Sequence, residues 1–176
     1  MTPAAIEIRV DDATQLFNTL DPFPFRERDL DREAEDFIVG WARELPRDRP
    51  LEIAVHLPRH EAESEKARQL QDALSSYFRY RAEMAGRDLH ELFRVGRLSL
   101  VIGLAVLAAC TLARALLHRG LGEAGVLGFL NEGLLIVGWV ANWRPIQIFL
   151  YDWWPLRRRR NLYDRLAAAR VTLVPY

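Results

Sequence analysis

Glu132 and Asn131 are the residues best placed to do chemistry, because they interrupt the long apolar stretch Ala124 to Trp143. A carboxylate inside a bilayer costs about 2.5–3.5 kcal/mol on insertion scales, so it turns toward protein or water. Such a group suits a proton or ion site, or a polar contact with another membrane subunit. The competing reading puts Glu132 at the outer interface, paired with Arg114 or Arg119.

Other chemical signals are weaker. His56 and His60 stand four apart beside Glu61 and Glu63, but His56 ends an expected strand and Pro58 intervenes, so helical metal-ligand spacing is not met. There is no Gly-rich phosphate loop, nucleophile elbow or zinc spacing. The acids Asp29, Asp31, Glu33, Glu35 and Asp36 read as capping and solvating a helix. The expectation is a protein without catalytic residues, metal or cofactor. Arg157, Arg158, Arg159 and Arg160 follow Trp153-Trp154-Pro155. Beside a bilayer they fix topology and suit anionic lipid head groups, at about 1 kcal/mol per residue near the surface. That position argues against nucleic acid.

These residues are carried by two apolar segments. Leu98 to Leu117 holds one charge, Arg114, and about 20 such residues cross a hydrocarbon core of roughly 30 Å. The second span is expected over Ala124–Trp143, the alternative being a register from Gly133 to about Trp153. In the preferred register Arg144-Pro145 kinks the chain at the boundary. Small residues Ala105, Ala109 and Ala113 on the first span and one face of the second, carrying Ala124, Gly128, Asn131, Leu135, Gly138 and Asn142, are expected to pack the helices together, with Asn able to hydrogen-bond across the contact. The sharper alternative for this stripe is a dimer or a seam for a partner subunit.

Arginine fixes the expected orientation. Arg79, Arg81, Arg87, Arg94 and Arg97 precede the first span, and Arg144, Arg157–Arg160 and Arg165 follow the second. The connecting segment has only Arg119, so both termini are expected in the cytoplasm. Trp139, Trp143, Tyr151, Trp153 and Trp154 fit an interfacial aromatic belt at that end. The N-terminus MTPAAIEIRVDD has neither a basic region nor an apolar core, so no signal peptide is expected. One cysteine, Cys110, excludes an intramolecular disulfide. The zero net charge hides an acidic N-terminal half and a basic end.

The polar part reads as α/β. Ile6, Ile8 and Val10 alternate with Glu7 and Arg9, and Leu51, Ile53, Val55 and Leu57 repeat that pattern. Leu30, Ala34, Phe37, Ile38, Trp41, Ala42 and Leu45 recur at helical spacing, with Asp31 as N-cap and Pro46 as stop. The prolines of Asp21-Pro22-Phe23-Pro24-Phe25 favour extended backbone, and the two phenylalanines are expected to pin this loop to the core. Leu70, Ala73, Leu74, Tyr77, Phe78 and Met84 form the stripe of a helix that runs on into the first span. Val171–Val174 reads as a strand returning to the first two, since two strands alone make a marginal sheet.

The expected organisation is a cytoplasmic α/β domain of about three strands over residues 1–95, a transmembrane hairpin over 96–155, and a returning helix and strand over 156–176. The segments DPFPFRERDLDREAEDFIVGWARELP and EGLLIVGWVANWRPIQIFLYDWWPLRRRRNLYDRL resemble a family of small bacterial two-span inner-membrane proteins with no assigned activity. The resemblance implies a bacterial inner-membrane setting and carries no site residue. The function expected is a non-enzymatic adaptor, scaffold or accessory subunit, touching membrane lipids and a membrane protein partner or a second copy. The alternative is a subunit of a transporter or ion pathway using Glu132.

Overall fold

The computed structural model describes residues 4–121 and 125–176, without the side chains of Ala4, Arg26, residues 117–121 and 125–127, and Asn131. It is mostly helical, with a small parallel sheet and two long apolar helices. Two compact units divide it: Met1–Gly86 with Arg158–Tyr176, and Arg87–Arg157.

In the first unit, β1 (Ala4–Arg9), β2 (Leu51–Leu57) and β3 (Arg170–Pro175) form a three-stranded sheet in the order β1-β2-β3. Both pairings are parallel, with Ile6 opposite Ile53 and Ile53 opposite Val171. The expected third strand is thus present, and the first unit closes only when the chain returns. Strand alternation sends Ile6, Ile8, Ile53 and Val55 into one buried cluster with helix residues Ile38, Leu70, Phe78 and Leu166. Glu52, Ala54 and His56, on the other face of β2, are half-buried.

Helix α1 (Arg32–Glu44) starts where Asp31 accepts the Glu33 N–H and stops at Leu45, before Pro46. Its buried residues are Ile38, Val39 and Ala42. Phe37 and Trp41, expected in the stripe, are exposed and contact each other instead, with ring centroids 6.2 Å apart. The helix is rotated by about one position, which turns Glu35 toward the core (i, i+3, i+4 and i+7 with Ile38, Val39 and Ala42). In the loop before it, Phe25 packs on Phe17 with centroids 4.7 Å apart, while Phe23 is exposed, so one phenylalanine and not both pins the segment.

After the short α2 (Arg59–Ala62), α3 runs unbroken from Glu65 to Leu121, through Gly86 and Gly96. Leu70, Ala73, Leu74, Tyr77 and Phe78 are buried as expected, and Met84 is exposed. In the second unit α4 (Gly125–Val140) ends at a turn, α5 (Trp143–Gln147) follows, and Ile148–Asp152 form one wide π-helical turn. Helix α6 (Trp153–Ala167) then begins, and its later part belongs to the first unit.

Candidate functional site

Two polar arrangements stand out, one in each unit. In the first unit the Glu35 carboxylate, 14% exposed, accepts three donors from two other helices. Arg81 Nη2 lies 2.7 Å from Oε1, the Tyr77 hydroxyl 2.9 Å from Oε2 and the Tyr163 hydroxyl 3.0 Å from Oε1. Arg81 and Arg159 also donate to the Tyr163 oxygen at 3.2 and 3.3 Å. Both guanidinium groups lie over that ring, at 5.4 and 5.6 Å from its centroid. Burial, then the hydrogen bond to Glu35, raises the Tyr77 hydroxyl above its ordinary pKa. Helix spacing builds this cluster: Tyr77 and Arg81 are four apart on α3, and Arg159 and Tyr163 four apart on α6.

The cluster corrects the reading of Glu35 as a solvated helix acid. Once the phase of the helix is known the reason is plain: Glu35 shares the helix face of Ile38 and Ala42, and an acid on a core face needs partners. With its acceptors occupied by cation and hydroxyls, the group ties α1, α3 and α6 together.

Beside it, Asn18, Asp21, Phe23, Arg28, Tyr77 and Tyr80 contribute to the lining of an open cleft of about 730 Å³. The Asp21 carboxylate accepts the N–H groups of Asp29 (2.8 Å) and Phe23 (3.0 Å), which hold its pKa below the usual value. Arg28 Nε donates to the Phe23 carbonyl at 3.2 Å. These groups shape the loop.

In the second unit the centre is Asn142. Regular helix geometry would bond its backbone N–H to Gly138 O, but that N–H closes a tighter turn onto Trp139 O at 3.0 Å. The side-chain amide replaces the missing donor, giving Nδ2 to Gly138 O at 2.9 Å, and also reaches Gly103 O at 3.1 Å on α3. Pro145 has no N–H for the Ala141 carbonyl four residues earlier. That carbonyl faces Gly103, where an added Cβ would lie 2.9 Å from it and 2.7 Å from Asn142 Oδ1. The expected kink near Arg144-Pro145 therefore falls at Ala141-Asn142, three residues upstream.

The helix contact uses different small residues from those expected. Gly96, Gly103 and Cys110 are buried at seven-residue spacing, while Ala105 and Ala109 are exposed and Ala113 is half-buried. A Cβ on Gly96 would meet Ile148 Cγ2 at 2.8 Å, and one on Gly138 would meet Leu107 Cδ1 at 2.8 Å. Gly138 thus lies in the contact, whereas a Cβ on Gly128 would meet no described atom within 4 Å. The four-residue stripe was the wrong period: two helices wound about each other keep contact every 3.5 residues, and so at every seventh. Near the end of the contact Phe93 stacks on Phe149 (6.1 Å), and the Trp153 indole donates to Phe149 O at 2.9 Å.

Of the other expected residues, Glu132 is exposed on α4 and Arg114 is half-buried on α3. Asn131 lies on α4 with its side chain outside the described residues, as do the side chains of Arg119 and Ala124. Arg157 to Arg160 are exposed on α6. Arg157 covers the Trp153 ring at 5.6 Å, and Arg160 approaches Asp164 at 3.8 Å. Arg144 pairs with Asp152 at 3.1 Å. Among the described residues no group of three His, Cys, Asp or Glu side chains is arranged to hold a metal. No protein-family model, curated protein or solved structure matches the chain.

Proposed function

We propose that the chain is an integral protein of the bacterial inner membrane, in which a cytoplasmic α/β domain is carried by a two-helix transmembrane hairpin. The observation that carries this reading is apolar exposure. Leu98, Val101, Leu112, Leu116, Phe129 and Ile136 are each more than half exposed on two helices long and apolar enough to cross a bilayer. Soluble proteins rarely leave contiguous apolar surface of this kind in water. Arginines flanking both outer ends support cytoplasmic termini, and Trp139, Trp143 and Trp154, all exposed, support an interfacial belt. Arg157 to Arg160 would then meet lipid head groups.

The same reading makes the protein a non-enzymatic adaptor, scaffold or accessory subunit. Its support is the use of the polar groups: Glu35, Asp21 and Asn142 are spent on holding elements together. The exposed small face at Ala105 and Ala109 and the exposed Glu132 suit contact with another membrane subunit. A second reading, a subunit of an ion pathway, draws on the same exposed Glu132 and needs further helices to enclose a path.

Photo-crosslinkers at Ala109 and Glu132 in native membranes test the proposal. A polypeptide adduct from either position supports a subunit role. Lipid adducts alone from both would refute it.

A further inference from the structure

The two edges of the sheet are unlike. Tyr176 N donates to Leu57 O at 2.9 Å, so even-numbered residues of β3 face β2 and Val171, Leu173 and Pro175 point to the outer edge. Two of those three positions offer no free donor: the Val171 N–H is taken by Gln71 Oε1 at 2.6 Å, and Pro175 has no N–H. On β1 the parity is also even toward β2, since Val10 N donates to His56 O at 3.1 Å. Ala5, Glu7 and Arg9 therefore turn their backbone groups outward, and all three residues are exposed. The Asp11 N–H is taken by Gln15 Oε1 at 3.1 Å, which bounds the open stretch at Arg9. Among the described residues nothing comparable closes β1.

We propose that this open edge is where a second copy of the chain binds, β1 pairing antiparallel with β1 about a two-fold axis at Ile8. The occupant follows from charge. Only registers that join odd residues to odd residues bring the outward backbone groups together and keep Ile6 and Ile8 on the core face. Centring on Glu7 would set Glu7 against Glu7, centring on Arg9 would set Arg9 against Arg9 and Glu7 against Asp11, and centring on Ile6 would set Glu7 against the uncharged Ala5 and gain no ion pair. Like charges directly opposite are unfavourable. Centring on Ile8 puts Glu7 of each copy opposite Arg9 of the other, twice by symmetry, and each such pair exchanges both backbone hydrogen bonds. Arg9 is already steadied for this, its guanidinium lying 4.2 Å from the centroid of the Tyr176 ring, whose hydroxyl is bonded to Asp11 at 2.9 Å. The result is a continuous sheet whose core faces lie on one side. The inference goes beyond the membrane reading and does not depend on it.

Oxidative crosslinking of the full chain in detergent micelles, on a Cys110→Ala background, tests the register. Opposed residues of a hydrogen-bonded pair have Cα atoms about 5.5 Å apart, within disulfide range. Glu7→Cys chains mixed with Arg9→Cys chains should crosslink several-fold more than either alone. Equal yields, or none, would overturn the pairing. In parallel, Glu7→Arg should weaken the dimer about tenfold, equivalent to about 1.4 kcal/mol. Glu7→Arg with Arg9→Glu should restore it, and the melting temperature of each variant reports folding. A chain that is monomeric by light scattering, or a dimer indifferent to Glu7→Arg, would contradict the proposal; the first result is also expected if a strand of another protein is the true occupant.

Discussion

Tyr163 donates its hydroxyl to Glu35 across a sequence separation of 128 residues, at 3.0 Å. The bond joins the last helix to the first and lies in the unit that contains both ends of the sheet. The long apolar helices thus lie, in the sequence, between the two segments that build this unit.

That bond sets a graded expectation. Tyr163→Phe removes one hydroxyl from a carboxylate that keeps two donors, and should cost about 1 kcal/mol. Glu35→Ala deprives Arg81 and both hydroxyls of their acceptor, and should cost about 2–3 kcal/mol, held down by the water that still reaches Arg81. Urea unfolding of the full chain in micelles, followed by a probe in the first unit, measures both. Equal, negligible losses would show that the cluster is incidental.

Tyr77 gives an alkaline signature. Its hydroxyl titrates higher in the folded chain than the ordinary value of 10.0, through burial and then Glu35. Above that ordinary pH the unfolded chain releases this proton before the folded one does. The stabilisation is therefore complete below it and declines as pH rises toward the folded value. Melting temperature should fall more steeply above pH about 10 in the native chain than in Tyr77→Phe. Parallel curves would count against the assigned cause.

The glycines of the second unit should separate cleanly. Gly103→Ala forces a Cβ to 2.9 Å from a backbone carbonyl, which has no rotamer to escape by, whereas Gly138→Ala meets chiefly the movable Leu107 terminus. Gly128→Ala and Gly133→Ala meet no described atom within 4 Å and gain up to about 1 kcal/mol of helix propensity. The expected order of thermal stability in micelles is Gly128→Ala and Gly133→Ala at or above native, then Gly138→Ala, with Gly103→Ala lowest.

Asn142 should be irreplaceable by its acid isostere. Asn142→Asp keeps the shape but has no donor for Gly103 O and Gly138 O, and Asn142→Leu keeps neither. Hydrogen bonds between apolar helices contribute about 0.6–2 kcal/mol each, so Asn142→Asp should be at least as damaging as Asn142→Leu. Faster hydrogen exchange at residues 138–142 is the readout.

The strands, both helix boundaries around Asp31 and Pro46, and the return of Val171–Val174 were legible, because period and capping are local properties. The phase of α1 was not. Phe37 and Trp41 look like core residues by type, yet the fold leaves them exposed and buries the face that carries Glu35, since three donors from other helices compensate the acid. The packing of α3 failed for a related reason. Ala105, Ala109 and Ala113 satisfy a four-residue rule, and the sequence alone does not say which of several small-residue stripes meets the partner helix. The turn that frees Ala141 O and Gly138 O selects the stripe through Gly103.

On the proposed reading the two apolar helices cross the bilayer as a hairpin with both termini on one side. Protease-cleavable tags at Met1 and Tyr176, assayed in spheroplasts and in inverted inner-membrane vesicles, test it most directly. The expected result is a carbonate-resistant membrane protein with both tags protected in spheroplasts and both cleaved in inverted vesicles. A chain released by carbonate, or one with its two tags on opposite sides, would contradict it.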